Sequence, residues 1–140
     1  LLEKVLNIHQ SLEQILRSKD AFGESFYRVF FEKYPHVRKH FEGVNMRRQA
    51  VLLTMALIVI ERYYYEPFKA TEQYLQYLGT RHKEWDIPRE LYPQWADAML
   101  TSLASFHGDQ WSDELGRQWQ EAIGRATELV FEGYDERFRL

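Results

Sequence analysis

His82 is the residue whose type and position best suit metal chemistry. It closes a helical face that already carries Leu75 and Leu78, seven and four residues earlier. Its imidazole is therefore expected in apolar space, where it needs a partner. A backbone carbonyl would serve, and so would a metal. No second histidine, cysteine or carboxylate stands at the spacing of a zinc site, which takes three or four protein ligands. A single imidazole suits a metal that brings four ligands of its own. Heme iron is such a metal, and one axial histidine is a standard way to hold it.

A flat macrocycle needs a large apolar slot, which Phe22, Phe26, Tyr27, Phe30 and Phe31 could help to line. A gas bound on the opposite side of the iron needs polar donors. Gln49 shares a helical face with Leu53 and Leu57, so its amide is expected to project inward, and Tyr27 lies among aromatics that look buried. Each also has a plainer reading. A buried tyrosine often bonds a backbone carbonyl, and a glutamine near a helix start often faces water.

The elements that must position these residues are helical throughout. Apolar residues recur at helical spacing, and no strict alternation lasts long enough for a strand. A first helix is predicted over roughly 1–17, burying Leu2, Val5, Leu6, Ile8, Leu12, Ile15 and Leu16. Ser18 and Asp20 suit the start of a second helix that continues through Tyr34. Pro35 breaks it and can open a short third ending near Phe41. Glu42 to Asn45 reads as a loop, followed by helices over roughly 46–65 and 67–83. Pro88 is expected at the first position of a helix running to about Phe106, and Ser112 caps a last one reaching about Arg137. The chain is all-α, with about six or seven helices.

Composition narrows the function. The 140 residues suit one domain, and 45% hydrophobic content is enough for a core. A net charge of −3 gives no reason to expect nucleic acid or an anionic membrane as partner. The absence of cysteine removes disulfides, thiolate metal sites and thiol catalysis. The apolar run from Ala50 to Ile60 is too short to span a bilayer, and charges near the start argue against a signal peptide, so a cytoplasmic location is expected. A first residue other than methionine hints at excision from something longer.

Four segments resemble the globin family, specifically bacterial single-domain and flavohemoglobin-type globins. They are Phe26 to Phe41; Met46 to Leu53; Leu78 to His82 with Ile87 and Tyr92-Pro93; and Trp119 to Tyr134. The resemblance implies a globin fold over 1–140, with roughly six to eight helices around a pocket for heme b. It implies His82 as axial iron ligand, Phe41 stacking on the macrocycle, and Leu78, Arg81, Ile87 and Tyr92 around the same group. Tyr27 would donate to bound ligand, with Gln49 beside it and Leu53 packing over the iron. Such a tyrosine and glutamine pair implies reversible binding of dioxygen, and of carbon monoxide and nitric oxide.

Three departures from the family's pattern matter. A gap of about two residues lies between Phe41 and Gln49, and a slip in register would bring Val51 into the pocket. Leu52 stands where many relatives place a basic residue near a propionate, leaving Arg48 or Arg81 for that contact. Flavohemoglobins couple the proximal histidine to a tyrosine and a glutamate; Tyr92 matches the first, but the acid's place falls on Tyr134, with Asp135 beside it. The leading reading is therefore an oxygen carrier or gas-sensing input module. Alternatives are a nitric-oxide dioxygenase that needs an outside reductase, or a heme-free interaction domain in which His82 is only a core residue.

Helix 46–65 is apolar almost all round from Ala50 to Ile60. Val51, Met55, Ile58 and Val59 are expected on its far side, as a stripe for a second copy or an effector domain. His9, His36, His40 and His107 look superficial and receive no role.

Overall fold

Asn7 starts the first helix. Its side chain accepts from the Gln10 backbone N–H at 2.9 Å, while the Gln10 side chain accepts from the Asn7 N–H at 3.0 Å. This reciprocal cap sets α1 at Ile8–Arg17, so the helix begins later than the periodicity alone predicts. The computed structural model describes residues 5–139, and Leu2, expected in the core, lies outside them. Leu6, Ile8, Leu12 and Ile15 are buried, whereas Val5 and Leu16 are exposed. Val5 precedes the cap and so never joins the helical face.

Helix α2 spans Lys19–Lys33, and Pro35 then forces the chain into a 3-10 segment, Pro35–Phe41. Asn45 caps α3, Met46–Tyr65, by accepting from the N–H groups of Arg47 and Arg48, both at 3.1 Å. Helix α4 covers Lys69–Glu84 and α5 covers Leu91–His107. Pro88 does not open α5. The Leu91 and Tyr92 N–H groups reach back only three residues, to Pro88 and Arg89, so 88–90 form a tighter turn ahead of the helix. After a 3-10 turn at Gly108–Gln110, Ser112 caps α6, Asp113–Asp135, with a 3.0 Å bond from the Leu115 N–H. Among the described residues the architecture is thus all-α, and no single helix is long and apolar enough to cross a membrane.

The core forms where α2, α5 and α6 meet, around Phe22, Phe26, Phe30, Met99 and Trp119, all essentially inaccessible. Helix α4 packs mainly on α6 and only sparsely on α3, although α3 precedes it directly. Two glycines explain the first contact. A Cβ on Gly133 would strike the Gln76 carbonyl oxygen and lie 2.7 Å from the Thr80 nitrogen. A Cβ on Gly79 would meet the Val130 backbone in the same way. The two helices therefore touch backbone to backbone, and Thr80 fastens the crossing by donating to the Gly133 carbonyl at 2.9 Å. Its hydroxyl oxygen also accepts from the Phe138 N–H at 3.0 Å.

The apolar stripe on α3 is narrower than expected. Val51, Leu52 and Met55 are 42%, 50% and 54% exposed, but Ile58 and Val59 are half-buried against the core.

His107 is likewise not superficial. Gly108 turns the chain at φ 56°, which folds α6 back over the end of α5, and His107 is only 6% exposed. Trp119 Nε1 donates to Ser11 Oγ at 3.0 Å, Ser11 Oγ donates to His107 Nε2 at 2.6 Å, and His107 Nδ1 donates to Gln14 Oε1 at 3.2 Å. Every polar atom is used when the ring is neutral. Protonated Nε2 would instead compete with the Ser11 hydroxyl proton. Burial accordingly lowers the His107 pKa from its ordinary 6.5. Above that value both folded and unfolded chains are neutral here, and stability is full; as pH falls through it, the unfolded chain takes up the proton first. Stability should therefore drop between about pH 7.5 and about pH 5.5, where carboxylates stay ionised. Urea midpoints at the two pH values would show this, and His107→Gln should lessen the difference, leaving the part due to His82, whose pKa burial also lowers. An equally steep dependence in that variant would exclude His107 as its source.

Candidate functional site

Two clusters form on either side of the sparse α3–α4 contact. The first hangs on α2. Its helical spacing sets Tyr27, Phe30 and Phe31 toward the 3-10 segment, where Phe41 sits among them with ring centroids 5.5, 6.4 and 5.4 Å away. Such edge-on aromatic packing fixes the Phe41 ring without closing it off, and the residue remains half-buried. Tyr27 is buried, and desolvation pushes its pKa up to about 12, partly offset by the nearby Gln49 amide. Its hydroxyl is thus a proton donor at any physiological pH. Helix α3 enters this cluster through Gly23, whose missing Cβ lets Ala50 sit against α2. That contact sets the rotation of α3: Gln49 is half-buried beside Tyr27, Leu53 is buried, and Val51 faces solvent. A groove of about 530 Å³ between α2 and α3, with Asp20, Glu24, Arg28 and Arg47 at its edge, reaches Tyr27 from outside.

The second cluster hangs on the end of α4. His82 is half-buried, and desolvation lowers its pKa from 6.5. Its Nδ1 lies 2.6 Å from the Tyr92 hydroxyl. Tyr92 in turn lies 3.2 Å from the Tyr134 hydroxyl, which donates to the Ile87 carbonyl at 2.6 Å. Burial, then the bond with Tyr134, raises the Tyr92 pKa, and burial raises that of Tyr134. Among the described residues no hydrogen-bonding partner reaches His82 Nε2.

The residues singled out by sequence thus fall into two groups: Tyr27, Phe41, Gln49 and Leu53 on one side, His82, Ile87 and Tyr92 on the other. Leu78 is half-buried one turn before His82 on α4. Arg81 is engaged at the surface, paired with Glu84 at 3.3 Å and lying over the Trp85 ring at 5.0 Å. Leu52 and Arg48 are exposed. Two participants escaped the sequence reading. Trp85, more than half exposed, stands 5.8 Å from the His82 ring; its position three residues after His82 was the available signal. Tyr134 was noted only for the acid it replaces, and nothing in sequence spacing reveals its bond to Ile87.

One imidazole nitrogen is held and the other is free, and half-buried apolar residues occur on both sides of two consecutive helices that stay apart. A flat apolar group carrying its own equatorial ligands suits this arrangement; a bare metal ion does not, since among the described residues no three metal-ligating side chains converge.

The family model described as Globin matches residues 24–128. The chain belongs to the globin family. It is also similar to a crystal structure from Pseudomonas aeruginosa, described as structurally highly homologous to a human hemoglobin. That likeness has a TM-score of 0.76 and 27% identity, covering 91% of this chain and 98% of the other. No curated protein matches the sequence. Globins typically bind heme.

Proposed function

We propose that this globin binds heme b through His82 and reversibly binds dioxygen, with carbon monoxide and nitric oxide as further ligands. The observation that carries the reading is the His82 ring, tethered at Nδ1 by Tyr92 and free at Nε2. Bound there, the iron would supply an open coordination position for a gas. The chain's own contribution is to hold the ring, to line the slot with Phe41, Leu53, Leu78 and Ile87, and to offer donors from Tyr27 and Gln49. Tyr27 keeps its proton and can give it in a hydrogen bond to a partly anionic ligand.

Absorption spectra of the purified protein with added hemin test the proposal. A Soret band that moves on reduction, and again with carbon monoxide, is expected. A protein that takes up no hemin would leave the fold and remove this function. Tyr27→Phe should then raise the dioxygen off-rate by roughly 10- to 100-fold, the value of one charge-assisted hydrogen bond. Carbon monoxide, which carries little charge when bound, should change much less. Equal effects on both gases would assign Tyr27 a purely steric role.

Two observations favour carrier or sensor over nitric-oxide dioxygenase. The place of the family's proximal acid holds a tyrosine, and Asp135 is paired with Arg89.

A further inference from the structure

We infer that Tyr134 is a positioning residue: acting through Tyr92, it decides which nitrogen of His82 carries the proton. The inference deepens the reading of His82 as an axial ligand and rests on it for its effect on iron.

Proton accounting carries it. Three links join four groups: His82 Nδ1 to Tyr92 Oη at 2.6 Å, Tyr92 Oη to Tyr134 Oη at 3.2 Å, and Tyr134 Oη to the Ile87 oxygen at 2.6 Å. A peptide carbonyl only accepts, so the Tyr134 proton goes to Ile87. The Tyr134 oxygen is then free to accept from Tyr92, and the Tyr92 oxygen from Nδ1–H. Each link holds one proton. Reversing the first link would have Tyr92 donate to a bare Nδ1, leaving two hydroxyl oxygens facing each other with no proton between them. The satisfied arrangement puts hydrogen on Nδ1 and leaves the Nε2 lone pair bare, as a metal ligand requires.

The end of the chain matters as much as its direction. A carboxylate at position 134 could draw the Nδ1 proton toward itself and make the ring more basic; the Ile87 carbonyl has no such pull. The charged side chains that reach Tyr134 from outside the relay are cationic. The Arg89 guanidinium lies 5.2 Å from the Tyr134 ring, held there by Asp135, and Lys83 Nζ donates to the Tyr134 carbonyl at 2.8 Å. Tyr134 thus closes a relay that orients the histidine.

The first test needs no heme. In the apoprotein, nitrogen NMR of His82 at about pH 7.5 should show the Nδ1–H tautomer exceeding the other by about tenfold, the worth of one hydrogen bond. Tyr134→Phe keeps the ring and removes the link, and should bring the two tautomers toward parity. With hemin added and reduced, Tyr134→Glu should raise the iron–imidazole stretching frequency and lower the midpoint potential relative to wild type. A dominant Nε2–H tautomer in the wild-type apoprotein would overturn the inference. So would a hemin-loaded Tyr134→Glu protein with frequency and potential unchanged. Should the protein refuse hemin altogether, the heme reading fails, while the NMR result still decides the relay by itself.

Discussion

Gly133→Ala is expected to destabilise the protein by about 3 kcal/mol or more, although alanine is the better helix former by about 1 kcal/mol. The added methyl group would be driven into the Gln76 carbonyl, 2.7 Å from the Thr80 nitrogen and 2.9 Å from the Gly79 Cα. All three are backbone atoms of α4, which cannot rotate aside as a side chain can. Relief requires the helices to separate, and that would stretch the Thr80 bond to Gly133 and thin the packing around Val130. For a domain of this size the melting temperature should fall by roughly 10 °C. Gly124 supplies the contrast. It lies on the same helix with open space around its Cα, so Gly124→Ala should stabilise by about 0.5–1 kcal/mol. Two alanines of opposite sign on one helix would identify close approach as the cause; a mild effect at both sites would refute it.

His82→Gly should leave the helices in place and remove the axial bond. His82 lies in the last turn of α4, where glycine costs about 1 kcal/mol, far less than the crossing at Gly79 and Gly133 holds. The loss in hemin affinity should exceed the roughly 10- to 100-fold that follows removal of an outer-shell partner of a metal ligand. The Soret band should shift as well, and added imidazole should restore its wild-type position by occupying the space vacated by the side chain. Circular dichroism should show that the fold is retained. A variant whose hemin spectrum matches the wild type would assign the iron to another residue.

The helices were largely legible because their signals are local. Asn45 and Ser112 stand where caps belong, Pro35 breaks α2, and the 3.6-residue period of α3 puts Gln49, Leu53 and Leu57 on one face. Tyr27 and Phe41 were legible as a pair because the resemblance supplied their meaning and the fold brings their rings to 5.5 Å. The losses came where the partner is far away in sequence. Gly79 and Gly133 carried no reading in the sequence, and their role shows only where α4 and α6 meet backbone to backbone. His107 looked superficial, and only its distant partners Ser11 and Gln14 on α1 show that it is buried. The turn at 88–90 fooled a rule that allows proline at the start of a helix without requiring it. Ile58 and Val59 were assigned outward on angle alone, without the neighbours that cover them.

The glycine crossing also orders events during synthesis. Thr80 and Gly133 are 53 residues apart, so α4 is free to fold before the helix it leans on is complete. Its loose contact with α3 offers little shelter meanwhile. The His82 cluster is therefore completed last, once α6 is made and docked, whereas the Tyr27 cluster can assemble from neighbouring stretches early on. A nascent chain would hold its ring-lined cluster some time before its histidine is tethered.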